Sequence, residues 1–465
     1  MSDRRTIESY SIIPSVDGTA VLMVATEDGW TLPGHPSTSP RSVNARVKKR
    51  FGLDVTVAAR FGETVVGSEL VYLLAHQNHG DAEAVVDDAG WISSAAIRSL
   101  PFADSWQRAV LEEWFRLGAG VDRSVLSRSD WARSEWFSEA SAWIRAGARR
   151  HGLAPTAAVE QFESSPYSVT MRMPTDQGYV YFKAAPPEFS YEPELVQELF
   201  ARFPKHVPAV LAIDKSRSWM LTRGVDPFGQ IQPVLEDAGL YERMVQSYAG
   251  MQKDLVGEVG KLAAMGVPDR RTSTLPGLLE QLLADTSLFL YEGAMALTPA
   301  EHERLLELVP RFEERCSRLA EFNLPDTLQN VDFWRDNIAV TGQGYVFFDW
   351  AESIIASPIL SMHMLLRDFI IHDVPDKDEL RRRLLHTYLS EWTDHEPIER
   401  LREAHRLCEP AAILCRALSW RDSLASIKEP RRHAYLWPAV SANVRRLLEP
   451  AMLTGEPDRD RQPAR

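Results

Sequence analysis

The stretch from Thr327 to Trp350 constrains this chain more than any other part of it. It reads Thr327-Leu-Gln-Asn-Val-Asp332-Phe-Trp-Arg-Asp-Asn337-Ile-Ala-Val, then Thr341-Gly-Gln-Gly344, then Tyr345-Val-Phe-Phe-Asp349-Trp350. An apolar strand end (Thr327, Leu328) delivers a loop holding Asp332 and Asn337. A second strand, Tyr345 to Phe348, returns Asp349 to the same place. The Gly-rich residues between them predict a hairpin turn. A turn centred on Gln343 sets Asn337 opposite Asp349, because the two lie equally far from that centre. Two oxygen ligands then converge where a hard divalent cation can sit, with Asp332 near enough to orient a hydroxyl. Phosphoryl transfer needs groups spaced in this way.

At 465 residues the chain is long for one core, so two or three domains are expected. It has no run of about 18 uncharged apolar residues, so no membrane span is expected. The first residues are polar and lack an apolar signal core. Cys316, Cys408 and Cys415 are too scattered for a disulfide framework or a zinc site, and read as reduced thiols of a cytoplasmic protein. The net charge of −13 argues against nonspecific nucleic-acid binding. Only 9 of the 52 basic residues are lysine, and Lys183 is the single one between Arg50 and Lys205. It sits in the strand-like run Tyr179–Ala184. A chain that avoids lysine yet places one there suggests a need for a compact ammonium, against the plainer reading of an edge-strand lysine facing water.

Residues 1–118 read as a separate α+β unit, followed by a linker at 119–130. A helix is predicted over Trp131–Arg150, then strands at Val159–Phe162, Tyr167–Met173 and Tyr179–Ala184. Next comes a helix capped by Ser190 with Pro193 in its first turn, then strands at Val207–Ala212 and Trp219–Thr222. Beyond residue 235 the pattern is mainly helical, and a polar tail at 454–465 is expected to be disordered. A small mixed β lobe (131–226) followed by a larger helical lobe (227–453) is a bilobal, kinase-like α+β order, with nucleotide expected between the lobes.

The segment Asn330-Val-Asp332-Phe-Trp334-Arg-Asp-Asn337, with Phe347-Phe-Asp349-Trp350 and Ser357-Pro358, resembles the aminoglycoside phosphotransferase and choline-kinase-like family. The family's usual form is H-G-D-x-H-x-x-N followed by I/F-D-W/F. The resemblance covers roughly residues 130–452 and is specific only at the hairpin. It implies ATP and Mg²⁺ as cofactors and a small-molecule hydroxyl as acceptor: a sugar, amino-sugar, antibiotic or related metabolite. Asp332 would orient and deprotonate that hydroxyl, and Asn337 and Asp349 would hold the metal. Lys183 would bind phosphates, steadied by a helix carboxylate, Glu194 in preference to Glu198. Phosphoryl transfer asks mainly for charge neutralisation and alignment, so this set is sufficient.

Two positions depart from the pattern: Asn330 and Trp334 stand where the family has histidines. No glycine-rich phosphate loop is present, so the hairpin Glu163–Tyr167 would use Ser164, Ser165 and backbone N–H groups. A catalytically silent kinase fold that binds nucleotide or a partner is the competing reading. In the N-terminal unit, Trp30-Thr-Leu-Pro-Gly34 and Ser39-Pro-Arg to Phe51-Gly-Leu-Asp-Val55 resemble a Nudix domain. Arg46, Lys48, Lys49 and Arg50 stand where metal-binding glutamates would be needed, so no Nudix hydrolysis is expected. His76 and His79 are expected in a loop, as a solvated turn more readily than as metal ligands.

Overall fold

The computed structural model describes residues 7–66, 69–80, 86–121, 130–133, 135–165, 167–225, 238–291, 293, 295–371, 375–425 and 438–449. Most of the expected linker at 119–130, the lobe junction at 226/227 and the tail at 454–465 lie outside the described residues. The chain divides into two compact units. The first takes the described residues up to Glu188, with Trp219–Thr222 and 423–425. The second takes Phe189–Ser218, Arg223–Asp422 and the described residues from 438. The expected Nudix-like domain and the first three strands of the expected small lobe therefore share one unit.

In that first unit the chain forms β1 (Ser9–Ile12), β2 (Ala20–Thr26), β3 (Gly29–Thr31), β4 (Gly34–His35), α1 (Pro40–Phe51), β5 (Val55–Val66), β6 (Glu69–Asn78), β7 (Ala89–Ser93), α2 (Ser94–Ile97) and α3 (Trp106–Arg116). One sheet has the order β4-β1-β6-β5, with β1 parallel to β6, and a second has the order β3-β2-β7. The period of two in β2 divides the core. Val21 and Met23 pack with Ile12, Leu73 and Trp114. Leu22 and Val24 pack with Val43, Val47 and Phe51, the i, i+4, i+8 stripe of α1. Gly52 ends that helix at φ 74, its N–H donating to Lys48 O.

His76 lies within strand β6 and is fully buried, not in the loop that the sequence suggests. β6 is buried on both faces from Leu73 to Gln77, and His76 falls inside that run. Its Nε2 is 2.8 Å from Ser11 Oγ, which also lies 2.9 Å from His35 Nε2. His79 follows the strand and bonds to Thr56 Oγ1 at 2.8 Å.

The same unit continues with α4 (Trp136–Arg150), β8 (Glu160–Ser165), β9 (Ser168–Thr175) and β10 (Gly178–Ala184). The predicted helix thus begins five residues later than expected, because Asp130–Ala132 forms a 3-10 turn. Trp136 and Trp143, on one face of α4, meet Phe182 of β10 and Trp219, with ring centroids 5.3–5.9 Å apart. Alternation then puts Lys183, half-buried, on the face of β10 opposite Phe182.

The second unit is mainly helical. It holds α5 (Glu192–Arg202), β11 (Val210–Asp214), α6 (Ala238–Asp254), α7 (Val259–Ala264), α8 (Leu275–Ala284), α9 (Pro299–Ala320), β13 (Thr327–Asn330), β14 (Ile338–Thr341), β15 (Gly344–Phe347), β16 (Ser353–Ala356), α10 (His363–Ile371), α11 (Lys377–Ser390), α12 (Ile398–Ala425) up to Asp422, and α13 (Pro438–Arg445). The remaining strand, β12 (Trp219–Arg223), falls in the first unit up to Thr222, where it lies next to β10. Ser190 does not cap α5. The helix starts at Glu192 out of a 3-10 turn at Pro187–Phe189, and no side chain caps it. Among the described residues no helix is long and apolar enough to cross a membrane.

Candidate active site

β13 and β16 pair antiparallel, with Asn330 opposite Ser353, so the loop after β13 and the turn before β16 emerge side by side. The strand pair is fixed from below by Gln252 of α6. Its Nε2 donates to Leu328 O at 2.9 Å and to Gln329 Oε1 at 2.8 Å, and its Oε1 accepts from the Tyr388 hydroxyl at 2.6 Å. Tyr248, one helical turn earlier, stacks on Phe333 at 4.1 Å and accepts the Asn330 N–H at 3.0 Å. All these polar groups are buried, so each bond avoids the cost of an unmet donor or acceptor.

The hairpin between the two acidic loops has a register one residue tighter than the sequence reading. Ile338 pairs with Phe347 and Thr341 with Gly344, so the turn centres between Gly342 and Gln343. Gly344, at φ 129, and the Thr341 hydroxyl close this two-residue turn. Asn337 therefore faces Phe348, whose N–H donates to its carbonyl at 2.8 Å, and Asp349 lies one residue beyond. Asp349 itself sits at φ 51, a left-handed conformation uncommon for a residue with a Cβ.

One side chain joins the two loops. Asn330 Oδ1 accepts the Asp332 N–H at 2.9 Å, and Asn330 Nδ2 donates to Asp349 O at 2.8 Å. Asn337 Nδ2 donates to Asp332 at both its carbonyl (2.9 Å) and its Oδ2 (3.0 Å). The other carboxylate oxygen, Asp332 Oδ1, has no hydrogen-bond donor among the described residues. The Arg416 guanidinium lies 3.0 Å from it as an ion pair. Arg416 also pairs with Glu352 and covers the Trp420 ring at 5.2 Å. Burial and the Glu352 charge push the Asp332 carboxyl up to about 7. Arg416 opposes that shift, and Asp349 adds to it.

The remaining sequence candidates are placed as follows. Glu194 pairs with Lys215 at 2.6 Å and Glu198 pairs with Lys261, both near the surface of α5. Glu192 is the buried carboxylate of that helix, at 2% exposure, and its Oε1 accepts the Trp350 N–H at 3.1 Å. Ser164 Oγ lies 3.5 Å from Val57 O. Ser165 Oγ accepts the Ser168 N–H at 2.9 Å and so serves its own turn. Lys183 belongs to the first unit.

Sequence reasoning passed over Glu192, Glu352 and Arg416. Arg416 carried one signal, a guanidinium within the apolar run Ala411–Leu418. Glu192 carried another, the first turn of a Pro-started helix, but three glutamates shared that stretch.

Two oxygen groups here could serve a hard divalent cation. Asn337 Nδ2 is turned to Asp332, so Asn337 Oδ1 could face a metal, and the Asp349 carboxylate, close enough to act on the Asp332 charge, is the second candidate. On α1, by contrast, Lys48 pairs with Asp54 and Arg50 with Asp88, and the first turn carries no acid. That helix carries no Asp, Glu, His or Cys.

Solved structures are similar to this chain. A choline/ethanolamine kinase family protein from Mesorhizobium loti is 18% identical over 68% of this chain and 96% of its own, with a TM-score of 0.45. A Plasmodium vivax ethanolamine kinase is 12% identical over 66% of this chain and 84% of its own, with a TM-score of 0.47. A type I macrolide 2'-phosphotransferase is 14% identical over 66% of this chain and 97% of its own, with a TM-score of 0.44. No protein-family model matches the sequence, and no curated protein does.

Proposed function

We propose that this protein is an ATP- and Mg²⁺-dependent phosphotransferase that acts on a hydroxyl of a small molecule, such as a sugar, an amino-sugar, an antibiotic or a related metabolite. The observation that carries this reading is the Asn330 side chain, which ties the Asp332 N–H to the Asp349 carbonyl. The two backbone segments that carry Asp332 and Asp349 are thereby held together, and Asn337 is bonded to the Asp332 carboxylate. Asp332 Oδ1, buried and without a donor among the described residues, is the atom that takes the acceptor's hydroxyl hydrogen. Arg416 holds that carboxylate in place and keeps a counter-charge beside it.

Asn337 Oδ1 and the Asp349 carboxylate would hold magnesium, which when bound neutralises phosphate charge. The family resemblance would assign a further phosphate-binding cation to Lys183. Aligned groups of this kind lower the barrier without covalent participation by the protein.

Asp332→Ala is expected to retain Mg·ATP binding and lose about 10²–10⁴-fold in turnover. Asp349→Ala is expected to abolish the magnesium dependence of ATP binding. The test is calorimetric titration of Mg·ATP together with an ATP-turnover screen over hydroxylated acceptors. If both variants turn over ATP as the parent does, the assignment is wrong. A silent nucleotide-binding module is favoured by one observation: the Arg416 guanidinium rests on the carboxylate that would take the proton. Mg·ATP binding with no turnover on any acceptor class selects that reading.

A further inference from the structure

Two sheet edges meet inside the first unit. β5 is the outer strand of β4-β1-β6-β5, and β8 is the outer strand of the sheet that continues through β9 and β10. Each is irregular at the meeting point, with register shifts between Val57 and Ala59 in β5 and between Gln161 and Glu163 in β8. A bulge leaves backbone groups without ladder partners. Here a side chain supplies them. Gln161 Nε2 donates to Val57 O at 2.8 Å, and the Val57 N–H donates to Gln161 Oε1 at 2.7 Å.

The carboxamide thus acts as one peptide unit of a strand that is not there. Asn44 Nδ2 of α1 adds a third bond to Gln161 Oε1 at 3.1 Å. Gln161 is 7% exposed, so water does not compete for these bonds. The next residue, Phe162, lies under two guanidiniums, Arg41 of α1 at 5.9 Å and Arg172 at 5.4 Å. The N-terminal α/β region therefore grips β8 just before the turn into β9.

The end of β8 holds Ser164 and Ser165, which the phosphotransferase reading lays against the nucleotide phosphates. We propose that the N-terminal region works as a clamp on the β8–β9 hairpin, with Gln161 as the positioning residue that sets nucleotide affinity. The inference rests on the phosphotransferase reading. β8 is paired along one side only, so without a second hold it moves more freely than β9, and every nucleotide bound would then have to order it. The Gln161 pair with Val57 removes that freedom beforehand. It also gives the N-terminal region a role that needs no chemistry of its own.

The experiment uses the full chain and Mg·ATP as the probe. Gln161→Leu keeps the volume and removes all three bonds. Gln161→Glu keeps the bonds from the Val57 N–H and Asn44 and loses the one to Val57 O. Calorimetry is expected to show about tenfold weaker Mg·ATP binding for Gln161→Leu and an intermediate loss for Gln161→Glu. Hydrogen exchange of the β8–β9 hairpin in the free protein is expected to accelerate in the same order. Parent-like Mg·ATP affinity in both variants overturns the clamp and leaves the phosphotransferase reading standing. If Mg·ATP binds Gln161→Leu without protecting the hairpin from exchange, the clamp also falls. If the parent does not bind Mg·ATP at all, both readings fall together. Should Gln161→Leu fail to fold, Gln161→Glu alone decides.

Discussion

Lowering the pH from 7 to 5 is expected to weaken the first unit through two imidazoles that share one hydroxyl. His76 is fully buried in β6 and His35 is nearly so in β4, and Ser11 Oγ lies within 2.9 Å of both Nε2 atoms. A single hydroxyl proton can satisfy only one ring as acceptor, so the other ring must donate. His76 Nδ1 has no partner among the described residues. Protonating His76 therefore puts an N–H where nothing accepts it, and either ring would carry its charge in a buried site. Burial first, then Arg46 and Arg50, brings His35 down to about 4. Burial first, then His35, brings His76 down to about 3.

Depressed folded values mean that the stabilisation is present above the unfolded value of about 6.5 and is lost as the pH falls below it. At pH 5 both folded rings are still neutral, whereas their unfolded counterparts are almost fully protonated. The loss between pH 7 and 5 is then about 2 kcal/mol per ring, and it scarcely depends on how deep the depression goes. Together the rings give about 4 kcal/mol, a large part of a typical domain's stability.

The assay is urea unfolding at the two pH values, with hydrogen exchange read on Ser9–Ile12 and Glu69–Asn78 after correction for intrinsic rates. Local readout is needed because burial also lowers His363 and His405 in the second unit. His76→Gln should halve the pH-dependent loss in these strands. If His76→Gln keeps the full loss, or the parent shows none, the reasoning is refuted.

Arg416→Met leaves Asp332 and Glu352, at 16% and 18% side-chain exposure, without their shared cation. The expected cost is about 3–5 kcal/mol in denaturant unfolding, and Glu352→Leu in the same chain should return part of it. Glu192→Leu strands the buried Trp350 N–H and should cost about 1–3 kcal/mol, whereas Glu192→Gln keeps an acceptor and should behave as the parent in the same unfolding assay. All three cysteines are buried, and burial raises their thiols, Cys316 and Cys415 to about 12. A thiol reagent at pH 8 should therefore label none in the native protein and three in urea, as read by mass spectrometry.

The parts of the site legible in the sequence are those set by local chemistry. Asp332, Asn337 and Asp349 lie within one hairpin, where a few residues of spacing decide what meets. Even there the register differs by one residue. Gly342-Gln343 makes a two-residue turn, and only the backbone of Gly344 distinguishes that from a turn centred on Gln343. The choice among Glu192, Glu194 and Glu198 was not legible. Spacing places Glu194 and Glu198 on one face of α5, but which face turns inward depends on packing from distant segments. Those two face Lys215 and Lys261, and Glu192 faces the Asp349 turn. The partners of Arg416 and Gln161 could not have been found locally, although a guanidinium in the apolar run Ala411–Leu418 marks Arg416 as unusual. Each acts on a loop or strand far away in sequence, and neither carries a motif.

The departures from the family pattern at 330 and 334 have different physical weight. Asp349 holds a left-handed backbone that costs about 1–2 kcal/mol for most residues with a Cβ, and such a conformation persists where neighbours fix it. Asn330 fixes its carbonyl, and Glu192 fixes the next N–H. A carboxamide offers a donor and an acceptor on one carbon, so Asn330 meets both demands of the position: it takes the Asp332 N–H and gives to Asp349 O. A neutral imidazole likewise carries one donor and one acceptor, so the exchange of His for Asn preserves the bracing of the two acidic loops. Trp334 permits no such exchange, because an indole offers a donor and no acceptor. Whatever a histidine at 334 would accept from an acceptor or a nearby water has no counterpart here. The Asn330 bonds that tie the Asp332 loop to the Asp349 turn do not involve the side chain at 334.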